Sequence, residues 1–211
     1  MFYALGNSGR LYTLDEDTAA AKAVGEPFAA RLEGTEFGFD FNTVVDRIRI
    51  VSDTGQNLRL HPDTGAVVDA NADTPGLQTD GRLAYAASDA QAGRTPAVVG
   101  AAYSYNKANP RITTNYALHA TAGTLVTRDS REGVMPVVSP NIGSLFTAGS
   151  LRQSFQNAAF DIQAVSDIAF AALNAGSGAS RWFTIDLQTG AATFLGTVSG
   201  GEAVRAIALE P

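Results

Sequence analysis

One short phrase occurs four times along the chain. It reads FDFN at Phe39–Asn42, YSYN at Tyr103–Asn106, FDIQ at Phe160–Gln163 and IALE at Ile207–Glu210. Each copy alternates its side chains as a strand does, one set to each face. The first three copies are each followed by three more strand-like runs. The fourth stands at the C-terminal end, and the runs it lacks lie at the N-terminal end, in FYALG, RLYTL and AKAVG. A chain that opens on strands two to four of a unit and finishes on strand one predicts a ring closed by pairing its two ends.

The second unit is the plainest. EFGFDFN (Glu36–Asn42), DRIRIVSD (Asp46–Asp53), NLRLHP (Asn57–Pro62) and AVVDA (Ala66–Ala70) are four strand patterns separated by short turns. The third unit runs VVGAAYSYN, TTNYALHA, GTLVTRD and SLFTAG, with an insertion at about Arg131–Asn141 before its last strand. The fourth runs AAFDIQ, SDIAFAALN, SRWFTIDL and ATFLGTV. Three of the units share a strand, an acidic turn and a strand: RLYTLDEDTAAAKAVG, NLRLHPDTGAVV and SRWFTIDLQTGAATFLG. An Asp-x-x-Thr or Asp-Thr-Gly turn suits a tight connection, because Asp bonds its own backbone and Gly accepts positive φ. The expected fold is therefore all-β: a small propeller of four blades, each of four antiparallel strands, in one domain over 1–211. The blades are 203–211 with 1–25, then 36–70, 97–149 and 158–198. A β-sandwich, an open array of the same units, and a fifth blade supplied by a longer chain are the alternatives.

Composition decides which partners and chemistries remain. Hydrophobic residues make up 45% and charged residues 17%, and 21 Gly and 8 Pro fall mostly between apolar runs, so the chain is globular and rich in turns. The net charge is −6 with no basic stripe, which argues against nucleic acid as a partner. No run of about 20 apolar residues is present, so no helix is expected to enter a membrane. There is no cysteine for a disulfide, a thiolate metal site or a thiol nucleophile, and two histidines, His61 and His119, do not make a multi-histidine metal centre. The opening MFYALGNSGR has neither a basic nor an apolar leader segment, so no signal peptide is expected in it.

The stretch Phe37–Val67, FGFDFNTVVDRIRIVSDTGQNLRLHPDTGAV, resembles the hallmark segment of a bacterial family, the domain of unknown function 4394 family. That segment reads FGFDFNPxVDRIRVVSDTGQNLRLNPDTG. FYALGNSGRLYTLD before it and the later FDI and IDLxTGxATxLG phrases are similar too, so the resemblance spans essentially the whole chain. Thr43 stands where the family usually has Pro, and His61 where it has Asn. The resemblance implies a propeller-like fold. Because family members often carry an export signal upstream, it also implies a periplasmic or extracellular location. It implies no particular reaction.

The second unit is where chemistry is expected. Alternation in DRIRIVSD turns Ile48 and Ile50 one way and Arg47, Arg49 and Asp53 the other; in NLRLHP it turns Leu58 and Leu60 one way and Asn57, Arg59 and His61 the other. Neighbouring strands then place three arginines on one face. A guanidinium cannot be discharged, so once covered it needs a carboxylate or a bound anion. Asp40 and Asp161, at matching positions of two innermost strands, are the expected partners and the candidates for a catalytic acid and base. The alternative is an ion-pair network between blades that holds the ring. Asn42, Asn106 and Gln163, with Glu210 fourth, end the innermost strands and can either coordinate water or a hard cation through their oxygens at one mouth of the axis or cap turns. The long connections Glu26–Thr35, Ala70–Thr95 and Ser150–Asn157 carry Phe28, Arg31, Tyr85, Arg94 and Arg152, a mixture suited to a binding face; the alternative is that Phe28, Leu77 and Tyr85 merely plug the top of the ring. Trp182 is expected to pack between blades.

No phosphate loop, nucleophile elbow, Rossmann alternation or calcium loop is present, so no cofactor and no metal are expected. The sequence is read as a non-catalytic module binding a small molecule or a protein. The alternatives are a propeller enzyme of isomerase, lyase or hydrolase type with an Asp/Arg pocket at the axis, and a structural blade array of a larger exported protein.

Overall fold

A computed structural model describes residues 1–198 and 200–209. Among these residues fifteen strands sort into four small sheets. The first sheet holds β1 (Phe2–Gly6), β2 (Arg10–Leu14) and β3 (Ala21–Val24). The second holds β4 (Phe37–Asn42), β5 (Arg47–Ser52) and β6 (Asn57–Leu60). The third contains β7 (Ala84–Tyr85), β8 (Val98–Tyr103), β9 (Asn115–His119), β10 (Thr124–Thr127) and β11 (Ser144–Ser150), in the order β7-β11-β10-β9-β8. The fourth is the meander β12 (Asn157–Ile162), β13 (Ala169–Asn174), β14 (Arg181–Ile185) and β15 (Ala192–Thr197). All neighbours are antiparallel except the short edge pair β7 and β11. The only helical turn among the described residues is the 3-10 turn Pro140–Ile142.

The repeated turns explain why the units recur. Asp15, His61 and Asp186 each accept at their carbonyl from the N–H four residues on, and their own N–H donates to the carbonyl five residues on. Asp15 Oδ1 takes the Thr18 N–H and hydroxyl, and Asp186 Oδ1 takes the Gln188 and Thr189 N–H groups. The closing residues Ala19, Gly65 and Gly190 have φ of 56°, 67° and 74°. This left-handed backbone costs glycine little, and in the first unit an alanine tolerates it.

The sheets pack face against face. Leu11 of β2 meets Ile48, Ile50, Leu58 and Leu60 between the first and second sheets. Val51 meets Val98, Ala101, Ala117 and Val126 between the second and third. Val99, Tyr116, Leu118 and Leu125 meet Phe160, Ala171, Phe183 and Ile185 between the third and fourth. Each fully buried Leu or Ile contributes roughly 1.5–3 kcal/mol. The strands β4, β8 and β12 touch in succession. Gly38 makes the first contact possible: a Cβ there would lie 2.6 Å from the Ala101 nitrogen.

Three expectations are corrected. The fourth strand expected at Ala66–Ala70 shrinks to a single bridge between Val67 and Leu60, because the chain leaves the sheet after Val68 donates to the Arg59 carbonyl. The connection Ala70–Thr95 is not all loop, since it places β7 along β11. Residues 203–209 form no strand, so the closure expected from pairing the chain ends is not found among the described residues. That segment is held by side chains instead. The Val204 N–H donates to Ser180 Oγ, the Leu209 N–H donates to Asp161 Oδ2, and Arg205 pairs with Glu36. The Ala-rich run offers little area to bury, which weakens it as a sheet member. Glu210, the last residue of the fourth repeat, lies outside the described residues.

Candidate functional site

Antiparallel register brings the arginines together. Arg49 on β5 stands directly opposite Arg59 on β6, and two like charges so placed repel. Asp80, from the long connection after β6, resolves the conflict. Its Oδ2 accepts from Arg49 Nη1 at 2.5 Å and from Arg59 Nε at 2.8 Å, while Oδ1 accepts from Arg59 Nη2 at 2.7 Å. The Asp80 side chain is 1% exposed and that of Arg49 3%, whereas Arg59 keeps 19%. Arg49 also donates to Asn57 Oδ1, Asn141 Oδ1 and the Tyr103 hydroxyl, so four of its five N–H groups are engaged.

Behind this pair lies a fully buried arginine. Arg128, just past β10, donates to Asn115 Oδ1 at 2.6 Å, to Asn57 Oδ1 at 2.7 Å and to the Pro140 carbonyl. No carboxylate touches it among the described residues, and its Nε has no partner. Burial, and then the Arg49 charge, push it down to about 9. Burial pushes the neighbouring Asp129 carboxyl up to about 7, against the pull of Arg128 and the Asn115 N–H.

In front of the cluster opens a cleft of about 630 Å³, between the second sheet and the insertion expected at Arg131–Asn141. Arg47, Arg49 and Arg59 line one wall. Arg111, Arg131, Glu132 and the segment through Asn141 line the other. Arg47 donates only to the Asp46 carbonyl, and the Arg111 side chain has no hydrogen bond or ion pair among the described residues. Glu132 is engaged by the Ser104 hydroxyl and the Asn106 amide.

Other expected site residues take different positions. Register sets Asp40 opposite Arg49, yet its carboxylate turns away. Asp40 Oδ1 accepts from the Phe41 N–H and Oδ2 from the Tyr103 N–H of β8. Asp161 repeats the arrangement with Ile162 and Leu209. These acids brace neighbouring segments and do not pair with the arginines. Burial, reinforced by the Asp161 charge, pushes Asp40 up to about 8, and burial raises Asp161. Asp53 likewise misses the arginine face, because it holds the Thr35 N–H and hydroxyl. Asn42, Asn106 and Gln163 cap turns: their side-chain oxygens accept from Val44, from Ala108 and Asn109, and from Val165 and Ser166.

On the long connections, Phe28 packs onto the first core cluster and Tyr85 is buried, its hydroxyl 3.0 Å from His119 Nδ1. Arg31, Arg94 and Arg152 are exposed and are not gathered at the cleft. Trp182 stacks on Phe170 of the adjacent strand β13. Asp80, Arg128 and Asn141 were not anticipated. Arg128 had a signal, a charged Arg-Asp pair ending the apolar run GTLVT, whereas Asp80 sits in a connection without periodicity.

Fold and site together define an all-β protein of small antiparallel sheets that buries an arginine cluster beneath an open cleft. The chain belongs to the family described as Domain of unknown function (DUF4394), whose model matches residues 1–208. Nothing among curated proteins matches it. Among solved structures it is similar to a provisionally assigned 6-phosphogluconolactonase from Bacteroides uniformis, at 13% identity and a TM-score of 0.40. That match takes in 92% of this chain and 55% of the other, so this chain spans little more than half the length of that protein. No helix is long and apolar enough to cross a membrane among the described residues.

Proposed function

We propose that this protein is a binding module whose sheets act as the blades of a small propeller, and that it holds an organic anion in the arginine-lined cleft. Support for the propeller reading comes from the face-to-face packing of successive sheets and the matching braces of Asp40 and Asp161. The observation that carries the ligand is the charge balance of the cleft. Arg47 and Arg111 face it without a carboxylate partner, and Arg59 shares Asp80 with Arg49. Guanidinium forks match the geometry of carboxylate and phosphate oxygens. Binding is favoured over acid–base catalysis because both oxygens of Asp40 and of Asp161 already accept N–H groups.

The test is calorimetric titration with phosphate, citrate and acetate at low and high salt, for the wild type and for Arg47→Met with Arg111→Met. Salt-sensitive binding that the double substitution removes, with an unchanged circular dichroism spectrum, is expected. Equal binding by the double variant, or no binding of any anion at millimolar concentration, refutes the proposal.

A further inference from the structure

The rim of the same cleft is apolar. Met135 and Val137 of the insertion are 77% and 75% exposed, and Val134, Val45 and Ile112 are also exposed. They come from three separate segments: the insertion, the turn after β4 and the approach to β9. A single loop does not account for this convergence, and an apolar patch bordered by charge marks a recognition site. Of the guanidiniums within this rim, Arg49 is buried and Arg59 largely so, while Arg47 is half-buried and Arg111 exposed. A ligand that satisfied both rim and guanidiniums would need an anionic head and an apolar body.

We infer that the cleft takes a free aliphatic carboxylate of medium chain length, its head between Arg47, Arg59 and Arg111 and its chain against Met135, Val137 and Val45. This deepens the anion-binding reading and rests on it. The volume of about 630 Å³ lies within the range of small-molecule pockets. A membrane surface carrying the same chemistry is the less favoured source. Arg59 is largely buried, and the chain's net charge of −6 repels an anionic bilayer.

The experiment is calorimetric titration of the full chain with butanoate, hexanoate, octanoate and decanoate below their micellar concentrations. Acetate and phosphate are read by displacement of octanoate. Affinity should rise about fourfold per added methylene, the value for burying a CH₂ group. Met135→Gln with Val137→Gln should flatten that rise and leave phosphate binding unchanged. Phosphate and acetate binding without chain-length dependence overturns this inference and spares the anion site. Failure of every anion to bind overturns both. Octanol binding as tightly as octanoate overturns the assignment of the arginines as the head site. Sedimentation with phosphatidylglycerol vesicles without octanoate binding overturns the free ligand in favour of a bilayer.

Discussion

Replacing Asp80 by Asn should destabilise the protein far more than a change of formal charge at an exposed position. Three short hydrogen bonds run from Arg49 and Arg59 to its carboxylate, which is 1% exposed. The amide keeps one acceptor but turns an NH₂ toward two guanidiniums that cannot lose their protons. Arg128 stands behind them with no carboxylate of its own among the described residues, so of the described carboxylates Asp129, which burial already pushes up to about 7, would be left to face three cations. Removing one partner of a buried ion pair costs about 3–5 kcal/mol. At roughly 2–4 °C per kcal/mol for a domain of this size, the melting temperature should fall by about 6–20 °C. Urea unfolding followed by Trp182 fluorescence, with exposed Asp63→Asn as the control, measures the loss. Phosphate or octanoate should restore part of it by occupying the uncompensated arginines. A loss below about 1 kcal/mol, within the range of an exposed pair, would refute the argument that Asp80 neutralises the cluster.

Three further outcomes are expected. Gly38→Ala should cost about 1–3 kcal/mol, because its Cβ meets Ala101 atoms at 2.6 and 2.7 Å, while Gly196→Ala, with open space around it, should cost nothing measurable by urea midpoint. Asp40, Asp161 and Asp129 all have folded pKa values raised above the ordinary carboxylate value, so the folded state keeps protons that the unfolded chain loses. Their contribution is complete below about pH 4 and is lost as the pH rises toward Asp40's value of about 8, so the urea midpoint should fall across that window and fall less steeply in Asp40→Asn. Tyr85→Phe should cost about 1 kcal/mol through the lost contact with His119 and leave ligand titrations unchanged, since Tyr85 is buried away from the cleft.

The hairpins were legible in the chain because their signals are local. Alternation at Ile48 and Ile50 and the turns closing at Ala19, Gly65 and Gly190 each depend on a few neighbouring residues. Alternation also placed Arg49 and Arg59 on one face. It could not say which donor would lie across the gap between sheets. Asp40 therefore appeared as a partner for arginine although the Tyr103 N–H claims it. Asp80 went unread, and Tyr85 appeared as a binding-face residue rather than a buried one, for a different reason: they lie in a connection whose only strand, β7, is two residues long and leaves no period to detect. Residues 203–209 repeat the strand pattern faithfully, but pattern sets the face and not the pairing. Their backbone is held by Ser180 and Asp161 rather than by another strand.

The arginine cluster also bears on the order in which the chain folds. Each sheet's hairpins join close neighbours in sequence and form early, whereas Arg49 reaches 31 residues to Asp80 and 92 to Asn141, and Arg128 reaches 71 to Asn57. Closing such long loops costs entropy that is recovered only when the partners meet. An assembly that covers Arg49 before the connection bearing Asp80 arrives carries an unpaired charge and is penalised by several kcal/mol. Sheets docked in the wrong order or register leave that charge unpaired, so the cluster biases the chain toward the arrangement that delivers Asp80.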